Sequence, residues 1–270
     1  MAKSMRGVSA ARLLLPAMLF LCGPALGAQQ TTVPSAQPAQ PSADEIAMRH
    51  AAQDEKLRTD WADFAKYRDA NAKLSPPVKN EDRVVFMGNS ITEGWKKYWF
   101  TGKPYVNRGI GGQTTPQMLV RFHQDVIALR PSVVVILAGT NDIAGNTGPS
   151  TVDMIEDNLA GMAEMARANG IQVVLCSVLP VFDYPWRPGL APAPKIVALN
   201  AWMKHYADST GGVYVDFHSA MRDGRNGMRA DLASDGVHPN EAGYKIMAPL
   251  VEQGIADALR RPISGMRRQD

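Results

Sequence analysis

From residue 84 onward the chain alternates two patterns. Short, mainly apolar runs stand at 84–87, 105–107, 133–137, 171–178 and 213–217. Between them lie longer stretches whose apolar positions recur every three or four residues. The run Val133-Val134-Val135-Ile136-Leu137 is β-branched and lacks polar interruption, which predicts a strand covered on both faces of a parallel sheet. Residues 115–128 predict a helix, with Met118, Leu119, Phe122, Val126 and Leu129 on one face and Pro116 in the first turn. Residues 151–168 predict another, closed by Asn169-Gly170. Helices follow at 195–209 and, capped by Asn240, at 241–260. Loops are expected at 139–148, 179–194 and 221–235, and no internal repeat is present. Strands alternating with helices predict an α/β domain over 78–270, built on a parallel sheet. Ligand sites in such domains lie beyond the carboxyl ends of the strands.

The segments before this domain read differently. Residues 44–77 form a predicted helical extension, with Trp61, Phe64 and Tyr67 at spacings of three as a packing stripe and Ser75-Pro76-Pro77 as its stop. Residues 29–43 are rich in Gln, Pro, Ser, Thr and Ala and read as a flexible linker. Residues 1–28 combine a basic start, a short apolar stretch and the small residues Ala25-Leu26-Gly27-Ala28, the pattern of a cleavable signal peptide. Secretion or periplasmic export is the expectation, with no stable membrane span after cleavage.

Loss of that leader changes the charge. Lys+Arg falls from 29 to 26, equal to the 26 Asp+Glu. A near-neutral chain gives no basis for a nucleic-acid groove or attachment to an anionic membrane. Of the two cysteines, Cys22 leaves with the leader. Cys176 then has no disulfide partner and reads as a buried packing residue.

Four polar clusters follow strands or precede helices: Gly88-Asn89-Ser90; Asn107 to Thr114, with Gly109, Gly111 and Gly112; Gly139-Thr140-Asn141-Asp142; and Asp235-Gly236-Val237-His238-Pro239. Ser90 lies on a strand-to-helix turn, near N–H groups that stabilise negative charge. It fits either a helix cap or a nucleophile. A serine nucleophile needs a base, and His238 is the best placed of the five histidines; His50, His123, His205 and His218 read as surface or packing residues. A turn over Gly236 would bring Asp235 onto one imidazole nitrogen, fixing its tautomer. The Ser90 N–H, the backbone at Gly112 and the Asn141 amide are the candidate donors to an oxyanion.

In order and spacing these clusters resemble the four signature blocks of the SGNH (GDSL-like) hydrolases: GNSITEGW, NRGIGGQT, AGTND and DGVHP. The resemblance spans roughly residues 82–258. It implies a flavodoxin-like three-layer α/β/α sandwich with a five-stranded parallel sheet. It implies Ser90 as nucleophile, His238 as base and Asp235 as its orienting acid, with Ser90, Gly112 and Asn141 as the oxyanion hole and neither cofactor nor metal. Asn89 stands where the name-giving Asp of that family usually is.

The expected function is a secreted serine esterase acting on short acyl esters, foremost O-acetyl groups on carbohydrate. The expected partner is a small-molecule or oligosaccharide ester, with Trp95, Tyr98, Trp99 and Trp186 as faces for a sugar ring. A lysophospholipase or thioesterase with a longer acyl pocket is the alternative. A catalytically silent polysaccharide-binding module is the alternative of another class.

Overall fold

The computed structural model describes residues 42–100 and 102–262. The expected leader, Cys22 and nearly all of the expected linker lie outside them. The chain divides into two compact units, residues 1–46 and 47–270, and the sheet and the site belong to the second.

The first helix, α1 (Ala43–Thr59), starts with a reciprocal cap: the Ser42 hydroxyl accepts from the Glu45 N–H at 3.2 Å, and the Glu45 carboxylate from the Ser42 N–H at 2.8 Å. The extension is not the single helix its aromatic spacing predicts. After α1 the Asp60 carboxylate accepts the N–H groups of Phe64 and Ala65, at 2.8 and 2.9 Å. Those bonds hold residues 60–65 as a run of turns, and helix resumes only at α2 (Arg68–Lys73). Trp61, Phe64 and Tyr67 therefore do not share one helical face.

The domain then runs β1 (Val84–Gly88), α3 (Ser90–Trp99), β2 (Tyr105–Gly109), α4 (Thr115–Asp125), β3 (Val133–Leu137), α5 (Thr140–Ile143), α6 (Val152–Ala168), β4 (Gln172–Cys176), α7 (Ala193–Thr210), β5 (Val213–Val215), α8 (Phe217–Met221) and α9 (Glu241–Arg260). All strand pairings are parallel, in the order β2-β1-β3-β4-β5. That is the flavodoxin-like order. Several boundaries differ from expectation: α5 occupies part of the loop at 139–148, β2 is longer, and α4, β4 and β5 are shorter. Phe217 starts α8 instead of ending β5, because the Asp216 carboxylate accepts the Ser219 N–H at 2.9 Å and caps a helix there.

The period of two along each strand divides the core. Val85, Met87, Val134, Ile136, Val173 and Leu175 pack with α4, α6 and α7 on one face. Val84, Phe86, Val133, Val135, Val174 and Cys176 face α3, α8 and α9 on the other. The result is three layers. Cys176 is fully buried and unpaired, and burial pushes its thiol far above the usual range. Among the described residues no helix is long and apolar enough to cross a membrane.

The chain passes from β1 outward to β2, then returns across the sheet to β3. The strand order therefore reverses between β1 and β3, where a crevice opens at the carboxyl ends. Gly88 closes β1 tightly against that edge: a Cβ there would stand 2.1 Å from Thr92 Oγ1 and 2.7 Å from the Leu137 carbonyl oxygen.

Candidate active site

Asn89 sits between β1 and α3 in extended conformation, and its side-chain oxygen accepts the Ile91 N–H at 3.0 Å. Asn89 is thus the helix cap, and Ser90 becomes the first residue of α3. Its hydroxyl is free of capping duty, and its N–H belongs to the first turn, whose donors have no partner within the helix. The Asn at the name-giving Asp position performs the turn chemistry an Asp would.

The far end of the domain brings a histidine to Ser90. Gly236 adopts φ of +75°, a left-handed turn that folds residues 235–238 back on themselves. Asp235 Oδ1 accepts the N–H groups of Val237 and His238 at 2.9 and 2.8 Å, while Oδ2 lies 2.7 Å from His238 Nδ1. His238 Nε2 lies 2.9 Å from Ser90 Oγ. A hydroxyl and an imidazole 148 residues apart thus meet at hydrogen-bond distance. Partial burial pushes the Asp235 carboxyl up, but the His238 ring, the two backbone donors and the imidazole charge outweigh it and hold it below the usual range. An ionised carboxylate on Nδ1 fixes the tautomer that leaves Nε2 free to accept the serine proton.

The glycine turn after β2 flanks Ser90. The Ile110 N–H donates to the Gly88 carbonyl at 3.0 Å. A side-chain carbon added at Gly111 would stand 3.8 Å from Ser90 Cβ. Gly112 has φ of +76°. Asn141, in α5 and nearly fully buried, donates from Nδ2 to the Gln113 carbonyl at 2.9 Å. One amide hydrogen is therefore committed to orientation, and the nitrogen carries a second. The next residue anchors the arrangement: Asp142 accepts from Thr115 Oγ1 at 2.6 Å and from the Thr115 N–H. Burial raises the Asp142 carboxyl, against the pull of those bonds.

Beside these groups lies a cavity of ≈ 380 Å³, bounded by the turn at 110–113, by Trp186 and Arg187, and by residues 56–63. Trp186 is exposed, with its ring centroid 6.1 Å from that of His238. The other tryptophans fare differently. Trp95 is 1% exposed and packs edge-on to Phe86 and Phe217, so it is a core residue and not a sugar platform. It lies on the face of α3 that turns to the sheet. The side chains of Tyr98 and Trp99 lie outside those the structure describes. His123 and His205 are exposed and His218 is buried, away from the triad geometry. Among the described residues no three His, Cys, Asp or Glu side chains form a metal-holding group.

The contribution of residues 56–63 escaped the sequence reading. The segment is held against the glycine turn by two glutamines. Gln113 Nε2 donates to the Ala62 carbonyl at 2.7 Å, and Gln117 Nε2 to the Trp61 carbonyl at 2.6 Å. The available signal was two glutamines four residues apart, one before α4 and one in its first turn, together with an aromatic segment read only as a packing stripe.

Comparison with known proteins bears on the family. Residues 86–246 match the GDSL-like Lipase/Acylhydrolase family. The structure is similar to that of a GDSL-like lipase of Bacteroides thetaiotaomicron VPI-5482, with 46% identity and a TM-score of 0.72 over 74% of this chain and 100% of that one. The sequence is 28% identical over 223 residues to an acetylxylan esterase of Xylanibacter ruminicola; the match covers 67% of this chain and spans only 45% of that protein. It is 27% identical over 208 residues to an acetylxylan esterase of Geobacillus stearothermophilus, covering 63% of this chain and 92% of that one. With its four sequence blocks gathered at one edge of the expected sheet, the chain belongs to the GDSL-like lipase/acylhydrolase family of carboxylic ester hydrolases.

Proposed function

We propose that the protein is a secreted serine esterase that removes short acyl groups, above all acetyl, from carbohydrate. The observation that carries this reading is the unbroken chain Ser90 Oγ–His238 Nε2, His238 Nδ1–Asp235 Oδ2, at 2.9 and 2.7 Å. Ser90 attacks the ester carbonyl while Nε2 accepts its proton, and the carbonyl oxygen gains the charge. The N–H groups of Ser90 and Gly112 and the Asn141 amide stabilise that oxyanion. Collapse of the tetrahedral adduct expels the alcohol, which takes the proton from Nε2. Water then attacks the acyl-serine, giving its proton to Nε2, and the acid leaves as Ser90 recovers its hydrogen.

Acetyl on carbohydrate is favoured over a long acyl chain by the cavity wall. Lys56, Asp63, Gln113, Asn146 and Arg187 line it, which suits a hydroxyl-rich alcohol better than a hydrocarbon. The two acetylxylan esterases among the relatives point the same way. Export rests on the leader-like composition of residues 1–28. A chain-length series of nitrophenyl esters tests the acyl preference: maximal kcat/KM at acetyl is expected, and a maximum at octanoyl or longer would assign the long-chain alternative. A serine-reactive fluorophosphonate should label Ser90; failure to label would favour a silent binding module.

A further inference from the structure

We infer that residues 56–63 form the distal wall of a glycan subsite, in which Trp61 and Trp186 receive a pyranose ring of the alcohol part of the ester. The inference deepens the esterase reading and rests on it for the identity of the reacting group. Both tryptophans are well exposed, at 40% and 42%, and both line the same ≈ 380 Å³ cavity. An indole left facing solvent in a concave site is an informative departure from ordinary packing. Its flat apolar face matches the C–H face of a pyranose, whose hydroxyls project around the ring edge.

The geometry holds Trp61 in place for this role. Its carbonyl accepts from Gln117 and that of Ala62 from Gln113, both at less than 2.8 Å. Gln117 also accepts the Thr114 N–H at 3.0 Å, within the capping box that starts α4. Asp63, 8% exposed, adopts φ of +54° and pairs with Lys56 at 2.5 Å. The turn bearing Trp61 is therefore fixed from both sides, and its glutamine anchors flank the same glycine turn that offers Gly112. The Lys56 charge is matched by Asp63 within the cavity wall. Asn146 and Arg187 bring hydrogen-bonding groups for its hydroxyls.

A wall that reads the alcohol acts on discrimination between substrates. The test uses the intact enzyme and two readouts. The first is titration calorimetry with a deacetylated xylooligosaccharide, the product of the proposed reaction. The second is the ratio of kcat/KM for the acetylated oligosaccharide to that for nitrophenyl acetate. Trp61→Ala should weaken product binding about tenfold and lower that ratio about tenfold, the loss expected for one buried aromatic contact. Trp61→Phe should keep most of both. Product binding that depends on Trp61 in a protein that hydrolyses no ester would leave the subsite standing and remove the esterase reading. Unaltered product affinity and an unaltered ratio in Trp61→Ala, or no glycan binding by the wild type, would overturn the subsite.

Discussion

Asn89 and Ser90 divide between them two tasks that a lone serine at a helix start would combine. The amide of Asn89 satisfies the first turn, and the Ser90 hydroxyl turns to His238. Asn141 divides its own amide in a similar way, orienting itself on the Gln113 carbonyl with one hydrogen. Loss of that donor should lower kcat by about 10²–10³, the magnitude seen when one oxyanion donor is removed. Steady-state kinetics of Asn141→Ala on nitrophenyl acetate checks this, with KM expected to change little. Asp235 gives a prediction of a different kind. Its folded carboxyl lies below the usual range, whereas the unfolded one titrates near about 3.9. The unfolded state binds the proton more readily, so the stabilisation is fully present above that value and disappears as pH falls through the folded one. Wild type should therefore exceed Asp235→Asn in urea-unfolding stability at pH 6, with the gap narrowing towards pH 3. A gap that widened on acidification would contradict the assignment.

Among the elements, α3 carries Ser90 and α4 carries the scaffold beside it. Asn89→Ala removes the α3 cap and should cost about 1 kcal/mol, read by denaturant unfolding. The strands are legible in the sequence because runs such as Val133 to Leu137 have only one comfortable environment, between two layers of helices. The extension is not. A spacing of three imitates a helix, but Asp60 competes for the backbone of Phe64 and Ala65 and breaks it into turns. Trp95 departs from its expected role for a related reason. Its position in α3, five residues after Ser90, places it near the site in sequence, but only the packing of Phe86, Phe217 and Tyr244 decides that its ring points into the core. Ser90, Asp235 and His238 are legible as candidates through their types and spacing, and the structure brings the three side chains together. Their meeting depends on tertiary structure, since β1 and the 235–238 turn are distant in sequence.

For the molecule as a whole, the reversal of strand order between β1 and β3 sets where the polar clusters gather. One buried network ties that edge together. Arg121, with no exposed surface, pairs with the equally buried Asp125 at 3.0 Å. It donates to Gln113 Oε1 at 2.6 Å and to the Arg108 carbonyl at 2.8 Å. Asn71 completes the link to the extension, donating to Asp125 at 2.6 Å and accepting from Arg108 at 2.9 Å. Removing one member strands the others away from water. Arg121→Met should lose about 3–5 kcal/mol of unfolding free energy, the cost of leaving a buried charge unpaired. The network also accounts for the extension's place beside the glycine turn, which no local pattern in residues 44–77 encodes.

The central claim is that Ser90 is the nucleophile His238 activates. The most direct test is turnover of nitrophenyl acetate by Ser90→Ala, with folding verified by its unfolding curve. A fall in kcat of more than about a thousandfold is predicted, because the triad acts as a unit. A correctly folded variant that kept most of the wild-type rate would contradict the account.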